Sequence, residues 1–223
     1  MRRILRWLWE VHGAPKLDSY IRSYTGVRPR NVTATREEID TLLDAANPGM
    51  RLWLLLCSDL AIRSGTASRI GASHYDKEQR QLRFTTKHDA RQTLPVTQEI
   101  QELIEQCDLT DPAPFVKQLW TLGASRGGRP LMDTFGDGNS LRRAFTRFRI
   151  SLGITRRVTP HDLRRTTAVA MYKHSGDLRA VQALLGHANL NSTLHYLDHD
   201  LRPIERSTLE ILKRPEWRKA HTA

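Results

Sequence analysis

The chain has 223 residues, 39% of them hydrophobic, with 35 lysines and arginines against 24 acids and a formal net charge of +11. That is enough apolar material for one catalytic-size domain plus a stub, and too little chain for two full domains. Residues 52–56 are too short an apolar run to span a bilayer, and the basic start lacks a signal peptide's apolar stretch and cleavage site, so the cytoplasm is the expected location.

The positive excess points to a polyanion, because neutralising phosphates releases counterions. Charge alone leaves nucleic acid, acidic lipid and ribosome open. Cys57 and Cys107 show no disulfide or metal spacing and are expected as core or half-buried thiols.

Residues 2–10 read R-R-I-L-R-W-L-W-E, with Ile4, Leu5, Leu8 and Trp9 at helical spacing, which predicts a terminal helix. Residues 13–31, punctuated by Gly13, Pro15, Gly26 and Pro29, read as a linker on which Arg22, Arg28 and Arg30 are expected to follow a phosphate backbone. Thr35-Arg36-Glu37-Glu38 is a capping-box pattern, and Ile39, Leu42 and Leu43 continue a helix that stops near Asn47-Pro48-Gly49. Residues 51–62 are more uniformly apolar and predict a buried helix with Arg63 at its end. A guanidinium there is costly unless it meets an anion or a carboxylate, so a phosphate contact and a structural salt bridge are both open.

Ser73-His74-Tyr75, Leu82-Arg83-Phe84-Thr85-Thr86 and Gln92-Thr93-Leu94-Pro95 predict a three-stranded antiparallel sheet. Its hairpin turn, residues 87–90, puts Lys87 at a tip. Thr97 caps a predicted helix to Cys107, followed by a proline-punctuated segment and a basic loop at residues 123–129. Asn139-Ser140 caps a helix to Leu152 with Leu141, Phe145, Phe148 and Leu152 on one side. Arg142, Arg143, Arg147 and Arg149 lie around the rest, a cationic face suited to a nucleic-acid groove.

The densest patterning lies between Thr159 and His199. Thr159 is a helix cap and Pro160 a first helical residue, so His161 and Arg164 share one face of the first turn, where free amides and the helix dipole favour an anion. Gly176 ends that helix, Asp177 starts another and Gly186 ends it. His187 is therefore delivered from a tight turn, and Tyr196 from a short helix beginning near Asn191. A cationic cluster beside a phenol suits attack on a phosphodiester. His195 and His199 are one helical turn apart without a third ligand, so no metal and no cofactor are expected. After Tyr196 come Asp198-His199-Asp200, a helix to about Leu212 and a charged tail ending in Trp217-Arg218-Lys219.

His161-x-x-Arg164, Leu185-Gly186-His187 and Tyr196 nine residues later resemble the boxes of the tyrosine recombinase family, the phage integrases and their relatives. Upstream, D-L-A-I-R-S-G-T around Arg63 resembles that family's first arginine box, and L-R-F-T-T-K-H followed by T-L-P-V resembles its β-hairpin lysine at Lys87. The resemblance covers roughly residues 35–200 with five motifs in order. It implies an α+β, mainly helical catalytic domain with a small three-stranded antiparallel sheet over residues 33–223. Residues 1–32 would then be the remnant helix and linker of an N-terminal DNA-clamping domain.

The implied function is site-specific DNA recombination without metal or ATP. Arg63 and Arg164 would grip the phosphate and Tyr196 attack it to form a 3′-phosphotyrosyl link. His161 would act as base, His187 donate to the phosphate and Lys87 protonate the leaving 5′ oxygen. Double-stranded DNA is the implied partner, with Arg142, Arg143, Arg147 and Arg165 as contacts. A homo-oligomer on DNA, a tetramer, and DNA-bending helper proteins are implied as well. Thr66 departs from the pattern, because the family places an acid there that supports the arginine; Asp59 is the candidate substitute. Two other readings stay open, a non-catalytic DNA-binding remnant or regulator and a type IB topoisomerase-like enzyme.

Overall fold

The computed structural model describes residues 11–12, 32–85, 91–123 and 139–197. The chain divides into two units, Met1–Arg30 and Asn31–Ala223, and the described residues fall almost wholly in the second. The expected N-terminal helix and linker, Lys87 with its hairpin turn, the basic loop after Gly123 and everything expected beyond Leu197 lie outside the described residues.

The fold is mainly helical with one small sheet. In chain order it runs α1 (Arg36–Ala45), α2 (Pro48–Ser58), α3 (Ser64–Ala67), β1 (Tyr75–Asp76), β2 (Gln81–Thr85), β3 (Arg91–Pro95), α4 (Gln98–Ile104), α5 (Phe115–Gly123), α6 (Asn139–Ser151), α7 (Pro160–Ser175), α8 (Leu178–Leu185) and α9 (Leu190–Leu197). The sheet is antiparallel in the order β1-β2-β3, with Leu82 opposite Tyr75 on one side and Leu94 on the other. Alternation along β2 sends Leu82 and Phe84 inward and Arg83 and Thr85 outward. The first strand is shorter than its sequence suggests, because residues Ala72–His74 form a 3₁₀ turn.

Helix α2 is the centre of the core. Met50 and every residue from Leu52 to Ser58 are buried, and the helix packs against α5 and α7. It starts at Pro48 rather than Arg51, because Asn47 Oδ1 accepts from the Met50 amide at 2.8 Å and Pro48 fits the first turn. It also stops at Ser58 rather than running to Ile62. The Ile62 amide reaches back to the Leu56 carbonyl at 2.9 Å around Ala61, whose φ is +49°, the geometry a glycine usually supplies at a helix end. Helix α5 is an addition to the segment read from sequence as merely proline-punctuated: Phe115, Val116 and Leu119 follow Pro114 at helical spacing and are buried.

A second, smaller core gathers Ala61, Ala168, Val169, Tyr172, Val181, Leu185 and Leu197, fastening α7, α8 and α9 to the turn after α2. The stops and starts here follow the sequence. Thr159 and Asp162 form a capping box on α7, and Gly176 ends it at φ +66°. Asp177 caps α8, and Gly186 ends it at φ +56°. Among the described residues no helix is long and apolar enough to cross a membrane.

Gly49, in the first turn of α2, shows how closely the core helices meet. A Cβ there would stand 2.7 Å from the Trp120 amide nitrogen and 2.8 Å from the Val116 carbonyl oxygen, both on the backbone of α5. Alanine is the better helix former by about 1 kcal/mol, but rigid backbone cannot yield as a flexible side chain would. Gly49→Ala is therefore expected to lower stability by about 1–3 kcal/mol, read as a lower midpoint in thermal or urea unfolding.

Candidate active site

Arg63 precedes α3 as its cap residue, in the loop after α2 rather than on α2 itself. The loop is held from below, where the wholly buried Trp53 donates its indole N–H to the Ser64 carbonyl at 3.1 Å. The ion pairs among the described residues join Arg36 to Asp40, Arg51 to Glu99, Arg83 to Asp76 and Arg156 to Glu38, and none uses Arg63. Asp59 accepts from Ser58 Oγ at 2.7 Å and forms no ion pair with Arg63. Arg63 and Thr66 instead line a cleft of about 700 Å³ together with Thr85, Arg142, His161 and Arg164.

Arg164 lies at the floor of this cleft, 2% exposed. Its guanidinium donates to the Ala61 carbonyl and, at 2.6 Å, to the Leu185 carbonyl. These are the left-handed residue after α2 and the last residue of α8, so one side chain joins three segments of chain. The Nε of Arg164 is buried with no partner among the described residues. Burial makes its charged form less favourable than that of an ordinary arginine, and Arg63 adds repulsion, while the Tyr196 phenol opposes both.

His187 follows directly from the left-handed Gly186. Its Nδ1 lies 3.1 Å from Thr193 Oγ1 and its Nε2 lies 3.5 Å from Arg164 Nη2. Burial first, then the neighbouring Arg164, Arg63 and His161, push its pKa down to about 4. The ring of His161, at the start of α7 against Tyr196, is shifted below the usual imidazole range for the same leading reason, with Arg164 next.

Tyr196 points back from α9 into this group. Its hydroxyl is 3.0 Å from His161 Nδ1, and its ring meets His161 and His187 edge-on at centroid distances of 4.9 and 5.5 Å. Arg164 and Arg165 both place their guanidinium carbons 5.9 Å from the ring centre. Burial raises the phenol's pKa, and the surrounding Arg164, Arg63 and Arg165 pull against that rise. A neutral imidazole beside a protonated phenol, walled by arginines, is an arrangement for removing a phenolic proton as negative charge arrives.

The structure thus brings Arg63, His161, Arg164, His187 and Tyr196 into one place, while Lys87 lies outside the described residues. Arg142, Arg143 and Arg147 are exposed on α6. Arg142 and Arg143 line a second cleft with Arg157, which Arg142, Thr159 and Pro160 join to the first. Two arginines depart from the sequence reading. Arg165 is 5% exposed and sits over Tyr196, so it faces inward. Arg149 is buried too, and binds the carbonyls of Ile154 and Arg156 to fix the loop before α7.

Sequence reasoning missed two polar residues. Gln92, inward on β3, donates to the Ala183 and Leu184 carbonyls at 3.1 and 2.6 Å, tying the sheet to the end of α8. Thr193 holds the His187 ring and is fully buried. A polar residue at an inward position of an alternating strand was the signal for Gln92. Thr193 had none beyond its place on the helix of Tyr196.

The model of the phage integrase family matches residues 33–202. Tyrosine recombinase XerC 1 of Ralstonia nicotianae is 31% identical over 163 residues, which cover 71% of this chain and 48% of the relative. Tyrosine recombinase XerC of Escherichia coli O157:H7 is 29% identical over 180 residues, covering 78% and 57%. The chain spans about half the length of the curated relatives it matches. A lambda integrase dimer bound to a COC′ core site superposes with a TM-score of 0.62 at 17% identity, covering 86% of this chain and 68% of that one. XerA recombinase gives 0.59 at 20% identity, covering 92% and 80%. At these identities the likeness of the solved structures is one of fold.

The shift at His187 has a consequence for stability. Its folded pKa of about 4 lies below the ordinary 6.5, so the unfolded chain binds a proton that the folded chain refuses. The contribution is complete above about pH 6.5 and is lost as the pH falls towards 4. The melting temperature of the protein is therefore expected to fall more steeply across that window than that of His187→Gln, measured by scanning calorimetry at matched ionic strength.

Proposed function

We propose that this chain, which belongs to the phage integrase family through residues 33–202, cuts and rejoins DNA at specific sites through a covalent 3′-phosphotyrosyl link. The observation that carries the reading is the Tyr196 hydroxyl 3.0 Å from His161 Nδ1, at the edge of a cleft whose Arg63 has no acidic partner among the described residues. A phenol and a base in contact supply a nucleophile. Arginines with nothing to neutralise them supply a place for a phosphate.

In this mechanism a scissile phosphate enters between Arg63 and Arg164. Their guanidiniums take its non-bridging oxygens and stabilise the added charge of the five-coordinate transition state. His161 takes the phenolic proton as Tyr196 Oη bonds to phosphorus. The bond from phosphorus to the 5′ oxygen breaks, and that oxygen leaves with a proton, for which Lys87 is the proposed donor. The phosphotyrosyl ester retains the energy of the broken linkage, so a 5′ hydroxyl of another strand reverses the steps and rejoins the DNA.

Double-stranded DNA is the proposed substrate. The exposed Arg142, Arg143 and Arg157 line a cleft continuous with the catalytic one, and the ion pairs among the described residues use other arginines. A duplex laid across both clefts would meet them along its backbone, giving affinity without sequence preference. Residues 33–223 are proposed as the catalytic domain, and residues 1–32 as belonging to a DNA-clamping one. Action as a tetramer on DNA, with DNA-bending helpers, in the cytoplasm, completes the reading.

The test uses nicked duplexes taken from the DNA that flanks the gene, with covalent protein–DNA product resolved on a denaturing gel. The native chain is expected to give a product that Tyr196→Phe abolishes and Arg63→Ala reduces by about 100-fold or more. DNA bound and shifted with no covalent product at any salt concentration would favour a non-catalytic DNA-binding protein or regulator. Relaxation of supercoiled DNA without site preference would favour a topoisomerase-like activity.

A further inference from the structure

His187 carries a single ring proton at neutral pH, so the nitrogen that holds it decides what the ring can do. Its Nδ1 is 3.1 Å from Thr193 Oγ1, an ordinary hydrogen-bond length. Its Nε2 is 3.5 Å from Arg164 Nη2, at the outer limit of such a bond, and that Nη2 already donates to the Leu185 carbonyl at 2.6 Å. Hydroxyls on other helices bond back to the carbonyl one turn earlier. Thr41 does so to Glu37, Thr146 to Arg142, Thr166 to Asp162 and Ser175 to Met171, at 2.7–2.9 Å. Thr193 instead turns its hydroxyl, fully buried, to the imidazole.

We propose that Thr193 is a positioning residue whose hydroxyl donates to His187 Nδ1 and thereby places the ring proton on Nε2. The inference rests on the recombinase reading for its consequence, though not for its geometry. With the proton on Nε2, that nitrogen and Arg164 Nη2 are two donors side by side. They have no bond to make to each other, and a phosphate oxygen seated beside both would accept from each. With the proton on Nδ1, Nε2 would present a lone pair to that oxygen and repel it. A buried hydroxyl one turn before the nucleophile thus sets the chemistry of a histidine on the preceding turn, and ties the ring to the helix that carries Tyr196.

The test labels the histidines of the full chain with ¹⁵N and reads the tautomer of His187 by NMR, its signals assigned through His187→Gln. The rate of covalent complex formation at saturating nicked DNA is measured in parallel for the native chain, Thr193→Val and Thr193→Ser. The native ring is expected to carry its proton on Nε2. Thr193→Val is expected to lose that preference and to slow the covalent step by about 10- to 100-fold at unchanged DNA affinity, and serine to restore both. A native ring protonated on Nδ1 overturns the proposal, as does a valine variant that matches the native chain in spectrum and rate. If the native chain forms no covalent complex on any substrate, the recombinase reading fails, while the tautomer in the native and valine spectra still decides the role of Thr193.

Discussion

Arg164 is the constraint on which the site depends. Its guanidinium is almost wholly buried and spends its hydrogen bonds on the carbonyls of Ala61 and Leu185. Those carbonyls belong to the turn that leads to Arg63 and to the helix end that delivers His187. A planar donor array that meets two fixed acceptors fixes the angle between their segments as well. Burial away from water disfavours its charge, and Arg63 adds repulsion, which is why its pKa falls. An arriving phosphate relieves that cost, so the group that holds the fold together here is also the one improved by substrate.

The two histidines and the tyrosine follow from the same field. Burial and neighbouring guanidiniums keep both imidazoles neutral, and burial keeps the phenol protonated. A neutral imidazole therefore faces a protonated phenol at rest. In the proposed mechanism covalent chemistry waits on the anion, since a dianionic phosphorane is what the arginines would stabilise. Asp40, Glu99, Asp76 and Glu38 pair with Arg36, Arg51, Arg83 and Arg156, whereas Arg63, Arg142, Arg143 and Arg157, which line the two clefts, take part in none of these pairs.

Much of this was legible in the sequence wherever a local rule decides the structure. Thr35, Thr159, Asp177, Gly176 and Gly186 set helix ends through capping and left-handed turns, and each stands where its residue type predicts. The order His161, Arg164, His187 and Tyr196 could be read because those elements are consecutive. What stayed hidden depends on contacts distant in sequence. The chain leaves α2 through a left-handed alanine, Ala61, and nothing in an alanine signals that. Arg149 and Arg165 look like surface cations from helical spacing, yet each is turned inward, by backbone carbonyls in one case and the Tyr196 ring in the other. Gln92 and the end of α8 are about 90 residues apart, and only the packing of sheet on helix brings them together.

Whether one chain supplies the whole site decides the mechanism. The deciding measurement mixes Tyr196→Phe protein with Arg63→Ala protein on the same nicked duplex and scores covalent product against the native chain, with native–variant mixtures confirming that mixed complexes assemble. Because Arg63 and Tyr196 line one recess within a single chain, neither variant can complete the other, and the mixture is expected to give no more product than either alone. Recovery of product in the mixture would mean that a second molecule delivers its tyrosine to the arginine pocket, and that the Tyr196–His161 contact within one chain is not the reacting one.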